Sequence, residues 1–328
     1  MAPGQPLVSV VIPNWNGKHF LKDCLQAVRE QSYPNFEVIL VDNGSTDGSA
    51  DFVRKEFPEV RLVSHRENLG FAEGTNTGIR AASGGWIATL NNDTIADRDW
   101  LNESVKATAW GKRIGMVACR LVLMSNPQIL NSVGIRFNFS GRAWDIGFGA
   151  PVEGDFTKRL DVFGPSSGAA LYSSEMLKEI GLLDSSFFAY FEDFDLAWRA
   201  RLRGWRCVYC PTSAVKHHFS GTSKPRSAFV ISHCQKNRIT VMIRYYPFRY
   251  LLLGAPVVAG EFALGLARKV LTGGNPSFDG LMGGLRNWKD SVEKRKRAAA
   301  SAVVSPGSLF HLYGRGAHYS SIAEEELP

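Results

Sequence analysis

Cysteine is scarce, with five in 328 residues at irregular spacing. That excludes a disulfide-stapled secreted scaffold and leads us to expect reduced thiols in a cytosolic compartment. A basic leader is missing too: Met1-Ala-Pro-Gly-Gln-Pro6 has no positive n-region, so no signal peptide is expected. No apolar run reaches the ~20 residues of a membrane span. Residues 251–267 come nearest, but Pro256 and Glu261 interrupt them, and they read as an interfacial or intersubunit helix. No finger, helix-turn-helix or RNA-binding signature accompanies the basic residues, which argues against a nucleic-acid partner. The first strand also lacks a basic, glycine-rich phosphate loop, and no internal repeat is visible.

What is present suffices for a core. Hydrophobic residues make up 45% and aromatics 11%, so global disorder is excluded. A chain of 328 residues accommodates one large α/β domain with an appendage, or two domains. Charge is lopsided: residues 1–215 hold 22 Lys+Arg against 24 Asp+Glu, whereas residues 216–323 hold 16 against 4, before the acidic Glu324-Glu325-Glu326. That skew describes a near-neutral body with a basic region suited to an anionic membrane surface or a phosphorylated substrate.

Periodicity outlines the body. Residues 7–12 read as a strand closed by Pro13, 18–31 as an amphipathic helix, 36–41 as a strand, and 49–57 as a helix capped by Ser45 or Asp47. A strand at 60–63, a helix at 74–82 and a strand at 86–90 follow. This alternation predicts a mostly parallel, doubly wound sheet. Between 116 and 171, glycines and Asn126-Pro127 break the apolar pieces, and irregular strands with a loop over the site are expected. A helix at 174–180 should end at Gly181 in a left-handed cap. Another at 193–203 leads into a helical last third: 233–246, 251–267, a hinge-like 273–284 and a charged 289–297.

Three acidic clusters carry most of the information. Asp42-Asn43-Gly44 and Asn91-Asn92-Asp93 each follow a buried-strand pattern, and Glu192-Asp193-x-Asp195 follows the aromatic residues 187–191. Strand tips are where open α/β sheets bind ligands, and a carboxylate there can meet a base, a ribose or a metal. The third cluster offers a general base. Together they point to an enzyme that handles a metal-bound nucleotide and deprotonates a second substrate. Plainer roles stand beside each: a turn-forming Asp42, a capping Asp93, a solvated helix start at 192–195, and His217 and His218 as loop residues. A zinc site from Cys207, Cys210, His217 and Cys234 is a weak rival, since the pattern around Cys207 is that of a packed strand.

Five motifs stand in the order found in one known family. Val10-Val-Ile-Pro13-x-Trp15-Asn16, Val41-Asp-Asn-Gly-Ser-Thr-Asp-Gly48 and Asn68-Leu-Gly-Phe-Ala-x-Gly-x-Asn76-x-Gly78 come first. Leu90-Asn-Asn-Asp-Thr94 and Gly181-x-Leu-Asp184-x-x-Phe-Phe-x-Tyr-x-Glu192-Asp193-x-Asp195-Leu-x-x-Arg199 complete the set. Over residues 7–245 the chain resembles the family 2 glycosyltransferases, most nearly a rhamnosyltransferase branch.

The resemblance implies a GT-A fold with a mixed, doubly wound sheet over 1–245, followed by a basic helical region over 246–328. It implies a nucleotide-diphosphate sugar donor, dTDP-rhamnose first and a UDP-sugar next, a divalent Mg²⁺ or Mn²⁺, and inversion at the anomeric carbon. Residue by residue, Pro13, Asn14, Trp15 and Asp42 would frame the base, Asn68, Gly70 and Asn76 would line the nucleotide pocket, and Asn91 and Asn92 would contact the donor, Asn91 at the ribose. Gly168 would leave room for the sugar. Asp93 and His217 would hold the metal, Asp193 would be the base and Glu192 would orient the acceptor. Two amides, Asn91 and Asn92, depart from the family's acidic motif and favour modest, donor-dependent metal affinity. A catalytically inactive nucleotide-sugar-binding relative is the alternative. The acceptor is expected to be a saccharide or a lipid-linked saccharide at the inner face of the plasma membrane. Residues 251–267 and 286–297 would either dock on the anionic leaflet or form a homodimer.

Overall fold

The computed structural model describes residues 5–218 and 227–313; Met1 to Gly4 and the Glu324–Glu326 run lie outside it. The first half alternates strands and helices: β1 (Val8–Asn14), α1 (Lys18–Arg29), β2 (Phe36–Asn43), α2 (Ser49–Glu56), β3 (Arg61–His65), α3 (Phe71–Ala81) and β4 (Trp86–Leu90). β1 pairs in parallel with β2 and β4, and β2 with β3. β1 and the second half of β2 are runs of Val, Ile and Leu buried on both faces, as parallel strands flanked by helices must be, whereas the edge strand β3 has no buried residue. The cap of α2 is Gly48, in the left-handed region, and neither Ser45 nor Asp47 takes that position; Asp47, just before it, accepts the backbone N–H of Ser49 on Oδ1 at 3.0 Å.

Then follow β5 (Thr94–Ala96), α4 (Trp100–Ala107), β6 (Ile114–Leu123), β7 (Asn126–Ser132), β8 (Ile135–Phe137), β9 (Ala143–Asp145), β10 (Leu160–Asp161) and β11 (Ala169–Ser173). The expectation of irregular strands from residue 116 onward fails for β6. It is a ten-residue strand, almost wholly buried, with β12 (Arg206–His217) parallel on one side and β11 antiparallel on the other. Its Gly115 and Arg120 mask a pattern that burial on both faces makes continuous. The sheet order is β10-β12-β6-β11-β4-β1-β2-β3, so one antiparallel strand joins two parallel groups. β8 and β9 form a separate hairpin.

Between β11 and β12 lie α5 (Ser174–Ile180) and α6 (Glu192–Leu202). Gly181 ends α5 with φ 81° and ψ 169°, a positive φ but an extended ψ, so the left-handed cap is not formed. α6 is buried around most of its circumference and is anchored by Asp195. That carboxylate accepts from Arg199 Nε (2.9 Å), Arg244 Nη1 (2.9 Å) and the Tyr245 hydroxyl (2.8 Å).

Arg244 and Tyr245 belong to α7 (Ala228–Tyr245), and α8 (Phe248–Thr272), α9 (Pro276–Arg286), α10 (Trp288–Ser301) and α11 (Pro306–Tyr313) follow. Two expectations change here. The 273–284 stretch is no hinge: residues 276–286 are helical, and Gly280 and Gly284 let α9 approach α7 so closely that a Cβ would lie 2.3 Å from the Ser232 carbonyl oxygen and 2.6 Å from Ile239 Cβ. α8 runs 25 residues instead of 17, long and apolar enough to cross a membrane by length and composition. Pro256 does not stop it, because Pro256 and Leu252 are both exposed and the carbonyl left without a donor is on the outer side. Part of the α10 charge is spent on the body, with Lys294 on Asp184 at 2.7 Å and Arg295 on the Ile243 carbonyl at 2.9 Å. Leu281, Leu309 and Phe310 join the same apolar cluster as Phe137, Phe194 and Trp198.

Arg244 also reaches Asp184 at 2.8 Å, and its side chain is 1% exposed. Arg244→Met leaves a buried Asp195 carboxylate short of a cation and should cost about 3–5 kcal/mol. A lowered urea midpoint at unchanged m-value would register that loss.

Candidate active site

A cavity of about 500 Å³ opens at the carboxyl ends of β1 and β4, walled by Pro13, Asn14, Trp15, Asn68, Asn91, Asn92, Asp93, Gly168, Glu192, Asp193 and His217. Eleven residues expected at the site therefore meet in one place, drawn from six separate segments. Three do not line it. Asp42 stands one hydrogen bond behind, accepting from Asn14 Nδ2 at 3.1 Å. Asn76 spends its amide on the backbone of Leu183, donating to the carbonyl at 2.7 Å and accepting the N–H at 3.0 Å, which fastens α3 to the segment before α6. Gly70 has φ +88°, and a Cβ there would sit 2.6 Å from the Phe188 ring, so its missing side chain makes room for that ring and not for a ligand.

The β4 tip is internally wired. Asn92 Nδ2 donates to Asn14 Oδ1 at 2.7 Å, continuing the chain to Asp42, so the second amide of the motif supports the wall. Asp93 Oδ1 faces His217 Nε2 at 3.3 Å. Asn131, on β7 and 2% exposed, takes the other ring nitrogen: His217 Nδ1 donates to Asn131 Oδ1 at 2.7 Å. Nε2, on the other side of the ring, points toward the Asp93 carboxylate and is approached by Asn91 Nδ2 at 3.5 Å.

A carboxylate and an imidazole nitrogen opposed in this way are ligand types that suit a divalent cation. Adjacent ligands on an octahedral ion with bonds of 2.0–2.2 Å stand roughly 3 Å apart. Asn91 Oδ1 is buried beside them without a hydrogen-bond partner. The residues thus fit a metal with few protein ligands, the remainder coming from its substrate. Among the described residues no group of three or more His, Cys, Asp or Glu could hold a metal alone, which disposes of the zinc alternative there. Cys207 and Cys210 are buried free thiols within β12.

The opposite wall holds paired carboxylates at the N-terminus of α6. Burial, then the neighbouring Asp193, pushes the Glu192 carboxyl up to about 8, and its Oε2 has no partner. Burial raises Asp193 as well, but backbone amides oppose it: Ser167 N–H donates to Oδ2 at 3.1 Å and Phe194 N–H to Oδ1 at 2.7 Å. Burial therefore favours the protonated form at Glu192, while two backbone N–H groups favour the ionised form at Asp193.

Sequence reasoning missed several cavity residues. Asp145 on β9 is pushed up to about 6, first by burial, with Asp193 adding repulsion and His217 opposing it. Asn131, Asp145 and Trp144 sit in the glycine-broken region, where no periodicity assigns a direction. Phe188, Tyr190 and Phe191 have φ of 64°, 68° and 69°, a strained aromatic turn at the cavity edge. A single amide, Asn237 Nδ2, holds that turn through the carbonyls of Phe187, Ala189 and Tyr190 at 3.0, 2.9 and 2.8 Å.

Comparison with known proteins agrees with this architecture. The sequence model of glycosyl transferase family 2 matches residues 9–181. An uncharacterized glycosyltransferase of Haemophilus influenzae is 22% identical over 251 residues, covering 75% of each chain. The poly-beta-1,6-N-acetyl-D-glucosamine synthase of Staphylococcus aureus is 26% identical over 210 residues, 62% of this chain and 48% of that protein. Among solved structures, the mannosyltransferase PcManGT from Pyrobaculum calidifontis, in complex with GDP-Man and Mn²⁺, superposes with a TM-score of 0.56 at 19% identity, covering 95% of this chain and 88% of that one. The fold is of GT-A type, a mixed α/β sheet followed by a helical region. Matched over more than half its length, the chain belongs to glycosyl transferase family 2 and is an enzyme that transfers sugars.

Proposed function

We propose that this chain is an inverting, divalent-metal-dependent hexosyltransferase that moves a sugar, rhamnose first among candidates, from a dTDP- or UDP-sugar to a saccharide or lipid-linked saccharide during cell-surface polysaccharide synthesis at the cytoplasmic face of the membrane. One observation carries the reading: the Asp93–His217 pair and the Glu192–Asp193 pair face a single cavity. The poly-N-acetylglucosamine synthase relative supports the polysaccharide assignment. The 1–245 body would do the chemistry and 246–328 the docking.

In this reading Asp93 and His217 would hold Mg²⁺ or Mn²⁺, which supplies charge neutralisation on the diphosphate. Asn91 and Asn68 face the donor, while Pro13, Asn14 and Trp15 frame its base and Asp42 braces Asn14. Gly168 keeps the space beside His217 open, since a Cβ there would lie 3.5 Å from His217 Cε1. Asp193 accepts the acceptor hydroxyl proton as that oxygen bonds to the anomeric carbon. The bond from that carbon to the diphosphate oxygen breaks with its electron pair, and the nucleoside diphosphate departs. Displacement from the opposite face inverts the centre. Glu192, protonated, donates to the acceptor and fixes its approach.

The second reading, an inactive nucleotide-sugar-binding relative, draws on the amides Asn91 and Asn92. A thermal-shift titration with dTDP, UDP, GDP and ADP, with and without Mn²⁺, separates the two when followed by turnover. A pyrimidine nucleotide at 100 times its Kd should stabilise the chain by about 2.7 kcal/mol. Asp93→Ala should lose the Mn²⁺-dependent part, and no nucleotide shift at all would sink the donor site. Asn131→Leu should weaken Mn²⁺ about 10–100-fold by freeing the imidazole to rotate, seen as a higher metal concentration at half-maximal shift.

Asp193→Asn should lower kcat about 10²–10⁴-fold at unchanged nucleotide affinity. Equal turnover in this variant would move the base elsewhere. The proton on Glu192 has its own signature in stability. The folded chain keeps it up to about 8, whereas an unfolded Glu releases it near 4.5, so the wild type loses stability as pH rises between those values. Glu192→Gln should show no such loss, its Tm advantage growing from pH 5 to pH 8.

A further inference from the structure

We infer that α8 lies in the plane of an anionic bilayer, immersed along its outer side, and that the acceptor is an amphiphile presented from that plane. The acceptor half of this inference rests on the transferase reading above; the docking half stands on the helix.

α8 is not a core helix: only 11% of its most apolar stretch is buried. Leu253, Leu264 and Leu271 are 60%, 65% and 83% exposed, and Leu252, Leu266 and Val270 stand out beside them. From Leu251 to Ala267 the one ionisable residue is Glu261, and it is turned inward onto Arg142 and Arg238. Cations mark the ends, Arg249 at one and Arg268 at the other. A long apolar surface bounded by positive charge and bare of exposed acid complements acyl chains under anionic headgroups.

Its orientation follows from how it is fastened. The inward stripe is Gly254, Val258, Glu261, Gly265 and Lys269. A Cβ on Gly254 would meet the Phe139 carbonyl at 2.5 Å, one on Gly265 would meet Phe278 Cβ at 3.2 Å, and Lys269 pairs with Asp279. These contacts span fifteen residues, roughly 22 Å of helix. A helix held sideways over that length cannot stand across a bilayer without drawing the body in with it. It can only lie flat, its apolar side about 5–10 Å deep.

The same fastening reaches the active site. The turn of the β8–β9 hairpin supplies the Phe139 carbonyl and Arg142 to α8, and the next residues, Ala143, Trp144 and Asp145, form a wall of the cavity. The cavity is thereby set at a fixed height above the helix. An acceptor whose lipid stays in the bilayer and whose sugar reaches that height fits this arrangement.

The test is co-sedimentation of the full chain with vesicles of phosphatidylcholine alone or with a quarter phosphatidylglycerol. The wild type should pellet with the anionic vesicles at least tenfold more than with neutral ones. The triple variant Leu253→Glu, Leu264→Glu, Leu271→Glu should remain in the supernatant while keeping its nucleotide thermal shift, which shows that it folds and leaves the donor reading intact. A bimane label on Ala259→Cys, at mid-helix, should be quenched more by lipids brominated near the headgroup than near the chain end; the reverse means a spanning helix and overturns the in-plane placement. Failure of the wild type to bind either vesicle overturns the docking. So does a lipid-free dimer in light scattering that the triple variant converts to monomer, since α8 would then cover a second copy.

Discussion

The buried Asp195 carboxylate is the constraint on which the site depends. It lies one turn inside α6, and three donors from two helices converge on it: Arg199 on its own helix, Arg244 and Tyr245 on α7. Isolated, such a charge would be costly to bury. Surrounded, it dictates the rotation of α6, because only one setting brings all three donors within reach. Glu192 and Asp193 are thereby aimed into the cavity, and α10 is drawn in through Lys294 and Asp184. Arg199 extends the lock to the carbonyls of Ile180, Gly181 and Leu182, which fixes the segment leading to the aromatic turn.

Once α6 is set, electrostatics sorts the carboxylates by what each is offered. Asp193 receives two backbone N–H groups and Glu192 Oε2 receives nothing, so one proton has a preferred home. The strained residues Phe188, Tyr190 and Phe191 sit next to this pair. They persist because Asn237 ties three carbonyls around them, and the strain is confined to the edge where a substrate would enter.

The parallel half of the fold was legible because its strands are apolar runs with polar tips, and the tips coincide with the cavity. Asp93, Glu192 and Asp193 could be found as acids standing where a strand or a loop gives way. Asn76 and Gly70 could not be separated from true lining residues, since a structural clip and a ligand contact leave the same polar or glycine signature. β6 escaped because one arginine and one glycine interrupt a pattern that double burial makes continuous. Asp145 escaped for another reason: a hairpin of three-residue strands has no period to read, and Asn131 sits toward the end of β7, a strand whose first residues are exposed and irregular. The glycines of α9 looked like a hinge because close helix packing and chain flexibility use the same residue. α8 was cut short in the reading because a proline on the outer side of a helix costs little where its unpaired carbonyl is turned away from the body.

β11 runs against both its neighbours, β4 and β6, and that reversal decides which residues meet at the site. Because it is antiparallel, its lead-in residues 166–168 arrive at the same edge as the tip of β4, with Asn91 N–H donating to the Gly168 carbonyl at 3.0 Å. One bank of the cleft is thus assembled from residues 13–93 and the other from residues 135–234, and the two are sewn together along a seam. Asp93 and His217 face each other across that seam, so the two banks are held in register at the point where they meet.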